Sequence, residues 1–152
     1  MKLQSEIVLV KDKESLQKIN FEDKFLVWWD CSKARSWKEL YLMISKSLIL
    51  PDYFGMNLDA LYDGLLDLSW IPESEILIVL EHFDQILSEE LITEPDVQSE
   101  LLLLIKDVLT EWQYYTEDAQ NLIPKKEILV CFIDCNKMEN ILLQNCIEYQ
   151  YV

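Results

Sequence analysis

The sequence predicts a small α/β layer fold in which a parallel three-stranded sheet is flanked by helices. Three continuous apolar runs, each typical of one buried strand, lead to this prediction: 24–31 (KFLVWWDC), 75–80 (EILIVL) and 126–133 (KEILVCFI). The first run is expected to form a central strand that is buried on both faces. Helical patterns separate the runs, and strands that alternate with helices favour parallel pairing through right-handed crossovers. The expected order is strand, helix, helix, strand, helix, helix, strand.

Two helices are expected between the first and second strands. Ser36 has the position of an N-cap, with Glu39 three residues later in capping-box spacing, and apolar residues then recur at helical spacing until the helix ends before Pro51. Asn57 is expected to cap the second helix, whose leucines recur at three- and four-residue steps. Pro72 is expected to end it.

Two more helical stretches are expected between the second and third strands, a short one at about 83–88 and a long, leucine-rich one at about 96–115. The predicted core therefore spans about 24–133. A further strand at 6–10 and a tail at 137–152 are interpreted as N- and C-terminal extensions of that core. Because neither has a linker composition, residues 1–152 are predicted to form a single domain.

The charge of the chain excludes some classes of partner. The formal net charge is −15 at pH 7, with +2 on residues 1–50 and −17 on residues 51–152. Such a chain repels phosphate backbones and anionic membranes and attracts cationic partners, so binding to nucleic acid or membrane is not expected. A diffuse charge that serves solubility alone is the open alternative.

An acidic stripe distinguishes the helix after Asn57. On a helical wheel Asp59, Asp63 and Asp67 fall at about 100°, 140° and 180° from the first leucine, away from the apolar side. Like charges four residues apart destabilise a helix by about 0.2–0.5 kcal/mol per pair. The helix dipole favours only Asp59, in the first turn. A stripe that weakens its own helix indicates a functional surface, the alternative being a merely solvated face.

Residues 50–68, LPDYFGMNLDALYDGLLDL, resemble the core segment of the barstar family, the intracellular inhibitors of the ribonuclease barnase. In that family an aromatic pair, a glycine and an Asn-x-Asp-Ala-Leu-x-Asp pattern open the second helix. The close resemblance covers this motif, and a looser similarity covers about 24–133. The resemblance implies the family's fold, a barstar-like layer fold, for the predicted strands and helices.

The resemblance also implies a function and a partner. Asp63 would be the central anion, entering a ribonuclease active site where a substrate phosphate binds. The protein would be an inhibitor or immunity protein that binds a basic ribonuclease or related toxin one to one. With Asp67 included for its spacing alone, the expected partner-binding residues are Tyr53, Asn57, Asp59, Tyr62, Asp63, Asp67, Trp70 and Asp107.

Two other functions are considered. A carboxylate-dependent hydrolase is not favoured, because the aspartates share one convex helix face and no nucleophile motif accompanies the single histidine, His82. Two glycines are also too few for a phosphate-binding loop, so the protein is not predicted to be an enzyme. A binding module for a non-ribonuclease toxin or another cationic protein is the alternative that acidic steering leaves open.

The cysteines and the N-terminus complete the predictions. Cys31, Cys131, Cys135 and Cys146 lack the close Cys-x-x-Cys spacing of zinc sites, so reduced, buried thiols are expected and neither a metal nor a cofactor is predicted.

The apolar run at 7–10 is too short for a signal peptide, and no run reaches membrane-spanning length. A cytoplasmic location is therefore predicted.

Overall fold

The computed structural model describes residues 6–52 and 54–152. The strands in this part of the chain are β1 (Ile7–Val10), β2 (Phe25–Asp30), β3 (Glu75–Glu81), β4 (Glu127–Ile133) and β5 (Gln150–Tyr151). The α-helices are α1 (Trp37–Ser47), α2 (Leu58–Leu65), α3 (Val97–Tyr114) and α4 (Met138–Gln144). Short 3-10 helices cover Glu14–Lys18, Cys31–Lys33, Phe83–Gln85 and Ser88–Glu90.

The strands form one sheet in the order β2-β3-β4-β1-β5, and every neighbouring pair is parallel. The α/β class and the parallel pairing are thus confirmed, but the sheet has five strands and the predicted number of three is wrong. β1 lies between β4 and β5, and all four of its residues are buried. Residues 7–10 are therefore part of the sheet and not an extension of it.

The first predicted strand, β2, does not lie in the centre of the sheet. Among the described strands it lies at the edge of the sheet and pairs with β3 alone. Val27 and Trp29 are buried on one face, whereas Leu26 is 51% exposed and Trp28 is 38% exposed on the other. The interpretation of this apolar run as a strand buried on both faces is wrong, because an apolar run does not specify whether a layer of residues covers each face of the strand.

The two faces of the sheet are covered differently. On one face, α1, α2 and α3 pack on strand residues that include Trp29, Ile78 and Phe132. On the other face, Leu16 and Ile19 from the N-terminal segment pack on residues such as Val79 and Cys131, which β3 and β4 contribute. The three helices are therefore held on one side of the sheet.

The predicted cap of α1 is confirmed. The Ser36 hydroxyl accepts a hydrogen bond from the Glu39 amide at 3.3 Å and donates one to the Glu39 carboxylate at 3.1 Å. α1 ends at Ser47, before Pro51, as expected. No helix among the described residues is both long enough and apolar enough to cross a lipid bilayer.

Candidate functional site

The start of α2 is fixed by its cap. The Asn57 side-chain oxygen accepts a hydrogen bond from the Ala60 amide at 2.8 Å, and the Asn57 side-chain nitrogen donates one to the Gly55 carbonyl at 3.0 Å. Gly55 does not have a positive φ. A Cβ atom at this position would lie 3.2 Å from the Asn57 side-chain nitrogen and 3.3 Å from the Ala60 Cβ, so the glycine leaves room for the cap.

Replacing Asn57 by alanine is expected to lower the free energy of unfolding by about 1 kcal/mol, because the Ala60 amide loses its partner. Asn57→Ser keeps a capping oxygen and is expected to lower it by a smaller amount. Urea unfolding of the two variants beside wild type measures both effects. Equal losses in the two variants would contradict a capping role for Asn57.

The position of α2 depends on its contact with α3. The Trp112 side chain is 3% exposed, and its indole N–H donates a hydrogen bond of 2.9 Å to the carbonyl of Leu65, the last residue of α2. The last carbonyls of a helix have no partner within the helix, so this indole satisfies one of them. Trp112 thereby joins the end of α2 to the last turn of α3.

The charges of carboxylates from both helices act on Tyr62. The pKa of the Tyr62 hydroxyl is raised by partial burial and then by the charges of Glu111, Asp107 and Asp63. Asp63 belongs to α2, whereas Asp107 and Glu111 are one turn apart on α3. We call these four residues the acidic surface. The structure thus brings together three of the residues expected to bind a partner, Tyr62, Asp63 and Asp107.

The carboxylates of the acidic surface are exposed and are not neutralised nearby. Asp63, Asp107 and Glu111 are all exposed, as is Asp59 one turn before Asp63. Among the described residues, the ion pairs within 4.0 Å join Glu81 to Lys13 and His82, and none involves these four carboxylates. Repulsion between these acids is therefore left for a cationic partner to relieve.

Asp67 does not belong to α2. The helix ends at Leu65, seven residues before Pro72, and the prediction that it carries Asp67 is wrong. The Asp67 carboxylate accepts a hydrogen bond from the Ser69 amide at 3.1 Å, across a turn whose middle residue, Leu68, has a φ of 53°. This turn gives Asp67 a local structural role that helical spacing did not indicate.

The remaining expected residues lie in different surroundings. Trp70 is half-buried, and its indole N–H donates a hydrogen bond of 2.8 Å to the Leu48 carbonyl just after α1. Lys126 fixes the same loop by donating to the carbonyls of Ile71 and Glu73, and burial lowers the pKa of its amine. Tyr53 lies outside the described residues. Roles for Trp70 and Tyr53 at an interface stay predictions.

Glu111 is a residue of the acidic surface that was not among the expected partner-binding residues. It follows Asp107 by four residues, so the two side chains lie on the same face of α3. That spacing alone does not indicate which face of α3 lies beside α2. The position becomes significant because the charges of Glu111 and Asp107 both act on the Tyr62 hydroxyl of α2.

The cysteines differ in their surroundings. Cys31 and Cys131 are buried, as expected, whereas Cys135 is half-buried and Cys146 is exposed. Burial raises the pKa of the Cys131 thiol to about 12 and also raises that of Cys31. A thiol must lose its proton to act as a nucleophile, so these two buried thiols are poorly suited to catalysis.

The fold and the site define a class of protein, a parallel α/β layer protein with an acidic surface built from two adjoining helices. The family model described as Barstar (barnase inhibitor) matches residues 25–124. The match covers more than half of the chain and includes every residue of the acidic surface. The protein belongs to the Barstar family.

Comparisons beyond the family model add little about this protein. No curated relative matches the chain. Among solved structures, one chain in the structure of Drosophila ORC bound to AT-rich DNA and Cdc6 is similar, with 12% identity and a TM-score of 0.46. The similarity covers 95% of the present chain and 47% of that chain, so this chain spans about half of its length. Likeness at this level assigns neither fold nor function.

Proposed function

We propose that this protein inhibits a basic ribonuclease by placing the acidic surface in the active site of the enzyme, in a one-to-one complex formed in the cytoplasm. The observation that carries the proposal is a set of exposed carboxylates, Asp63 on α2 and Asp107 and Glu111 on α3, on two helices that the Trp112 hydrogen bond joins. A ribonuclease binds the phosphates of RNA with cationic side chains, and exposed carboxylates offer those cations the same type of charge. The inhibitor therefore competes with the substrate.

The exposed part of Tyr62 supplies contact area among the carboxylates. Aromatic residues near the centre of an interface contribute much of the binding energy, whereas charges determine the rate and the specificity of association. The Barstar family is described as a family of barnase inhibitors, which supports a ribonuclease as partner. Asp59 extends the acidic charge by one helical turn, and its place in the first turn of α2 is also favoured by the helix dipole.

Asp63→Asn is expected to weaken the complex by about 2 kcal/mol or more, roughly 30-fold in the dissociation constant, because it removes the central charge of the proposed interface. The barnase–barstar pair is itself a standard example of such hot spots. The value of about 2 kcal/mol is the general one for interfacial hot spots. The measurement is the inhibition of RNA cleavage by a panel of cationic ribonucleases, with wild type and with the variant.

Glu14→Gln is the matched control for Asp63→Asn. It removes one exposed carboxylate from the 3-10 helix that packs on the opposite face of the sheet. The control is expected to inhibit as strongly as wild type. Failure of wild type to inhibit any ribonuclease of the panel, or equal losses for the two variants, would contradict the proposal. Binding to a cationic toxin that is not a ribonuclease would favour the alternative partner.

A further inference from the structure

A second group of charged side chains lies at the carboxyl ends of β2 and β3. Asp30 and Glu81 are the last residues of these strands and are paired in the register of the sheet. His82 follows directly. One carboxylate oxygen from each acid and one imidazole nitrogen lie within 4.8 Å of one another. None of the three residues belongs to the acidic surface.

The Glu81 carboxylate is held in place by its neighbours. Its side chain is 10% exposed, and one oxygen accepts a hydrogen bond of 2.9 Å from the Trp28 indole N–H. The other oxygen lies 3.1 Å from the Lys13 ammonium and 3.7 Å from the His82 Nε2. A buried carboxylate needs a cationic or hydrogen-bonding partner to offset its desolvation.

Asp30 is held in a similar way. One of its oxygens accepts hydrogen bonds from the Ser32 amide at 3.1 Å and from the Ser32 hydroxyl at 2.6 Å. In metal sites, outer groups of this type orient the carboxylates that bind the ion. Ser32 and Trp28 are therefore in positions to orient the two acids.

We propose that Asp30, Glu81 and His82 bind a divalent transition-metal ion, for which Zn²⁺ is the probe. Two carboxylate oxygens and one imidazole nitrogen form a ligand set that suits zinc, and the nitrogen disfavours Mg²⁺ and Ca²⁺, which prefer oxygen ligands. The two acids carry two negative charges, and the cations near them are Lys13, which pairs with Glu81, and Lys33, whose charge acts on Asp30. The Lys13 side chain is 62% exposed, so its ammonium has room to move into solvent as the ion takes its place.

A bound ion would join the ends of the edge strand β2 and the neighbouring strand β3. Zinc is therefore expected to stabilise the folded protein, because an ion that binds the folded state and not the unfolded state shifts the unfolding equilibrium. Isothermal titration with Zn²⁺ measures stoichiometry and affinity, and thermal unfolding with and without zinc provides a second readout. We expect one site per chain and a raised Tm.

Four variants test the site. His82→Asn removes the imidazole but suits the positive φ of 56° at this position, and it is expected to lower the affinity for zinc by about tenfold or more. Glu81→Gln is expected to lower it similarly. Lys13→Ala is expected to bind zinc more tightly than wild type, because it removes the competing cation. Asp63→Asn, on the acidic surface, is expected to bind zinc as wild type does.

The same titrations distinguish a real site from zinc bound elsewhere. Wild type that binds no zinc would overturn the proposal, and so would an affinity that His82→Asn leaves unchanged. Loss of zinc binding in Asp63→Asn, or after alkylation of the exposed Cys146, would overturn it as well, since the ion would then be bound at another place. These outcomes do not depend on inhibition of a ribonuclease.

Discussion

Replacing Trp112 by alanine is expected to lower the free energy of unfolding by about 3–5 kcal/mol, the usual effect of removing a large buried aromatic side chain. Trp112 is 3% exposed and packs edge-on against Tyr115 with ring centroids 5.1 Å apart. Truncation removes this packing and also leaves the Leu65 carbonyl without its hydrogen bond. The measurement is urea unfolding of the variant and wild type at one temperature.

Two further variants separate the causes of this loss. Trp112→Phe keeps an aromatic ring but removes the indole N–H, so about 1–3 kcal/mol is expected from the unsatisfied carbonyl, in addition to the smaller ring. Tyr114 lies at the same end of α3 and is 78% exposed. Tyr114→Ala is therefore expected to change the free energy of unfolding by no more than about 0.5 kcal/mol. A loss in Trp112→Ala no larger than that in Tyr114→Ala would contradict the structural role of Trp112.

The hydrogen bond of Trp112 also has a consequence for the acidic surface. Tyr62 and Asp63 lie on α2, whereas Asp107 and Glu111 lie on α3, so their proximity depends on how the two helices are joined. Trp112 is one residue after Glu111 and points to the end of α2. Trp112, which is buried and uncharged, thus holds together the two helices that carry the acidic surface.

Features determined by neighbours in sequence were predicted well. Ser36 and Asn57 begin α1 and α2 as expected, because an N-cap forms hydrogen bonds with amides only three residues away. The apolar runs of β3 and β4 were also located within one residue, since both strands are covered on two faces and need continuous apolar residues. Asp63 was correctly placed on the exposed side of α2.

Features determined by distant contacts were not predicted. β1 pairs with β4 across more than a hundred residues, and no local pattern records this pairing. β1 and β5, which pair with each other beside β4, are the two strands that bring the predicted three to five. The effect of the Glu111 charge on Tyr62 depends on the packing of α3 against α2. Helical spacing identifies which residues share a face, but not which face a second helix meets.

Raising the ionic strength from about 0.01 M to 1 M is expected to slow association with a cationic ribonuclease by about 100-fold or more. Charge-steered protein pairs associate at about 10⁸–10⁹ M⁻¹s⁻¹ at low salt, against about 10⁵–10⁶ M⁻¹s⁻¹ without steering. The screening length falls over this range from about 30 Å to 3 Å, so the net charge of −15 no longer acts at a distance. Stopped-flow mixing across a salt series measures the association rate constant.

Two variants of equal net charge show whether the arrangement of the acids matters in addition to their number. The first neutralises Asp63, Asp107 and Glu111, and the second neutralises three exposed acids outside the acidic surface, Glu14, Glu22 and Glu89. The first is expected to associate more slowly at low salt and to depend less on ionic strength, because the field nearest the cationic cleft is lost. Equal rates for the two variants would mean that net charge alone steers association. The placement of the carboxylates on α2 and α3 would then have no effect on the association rate.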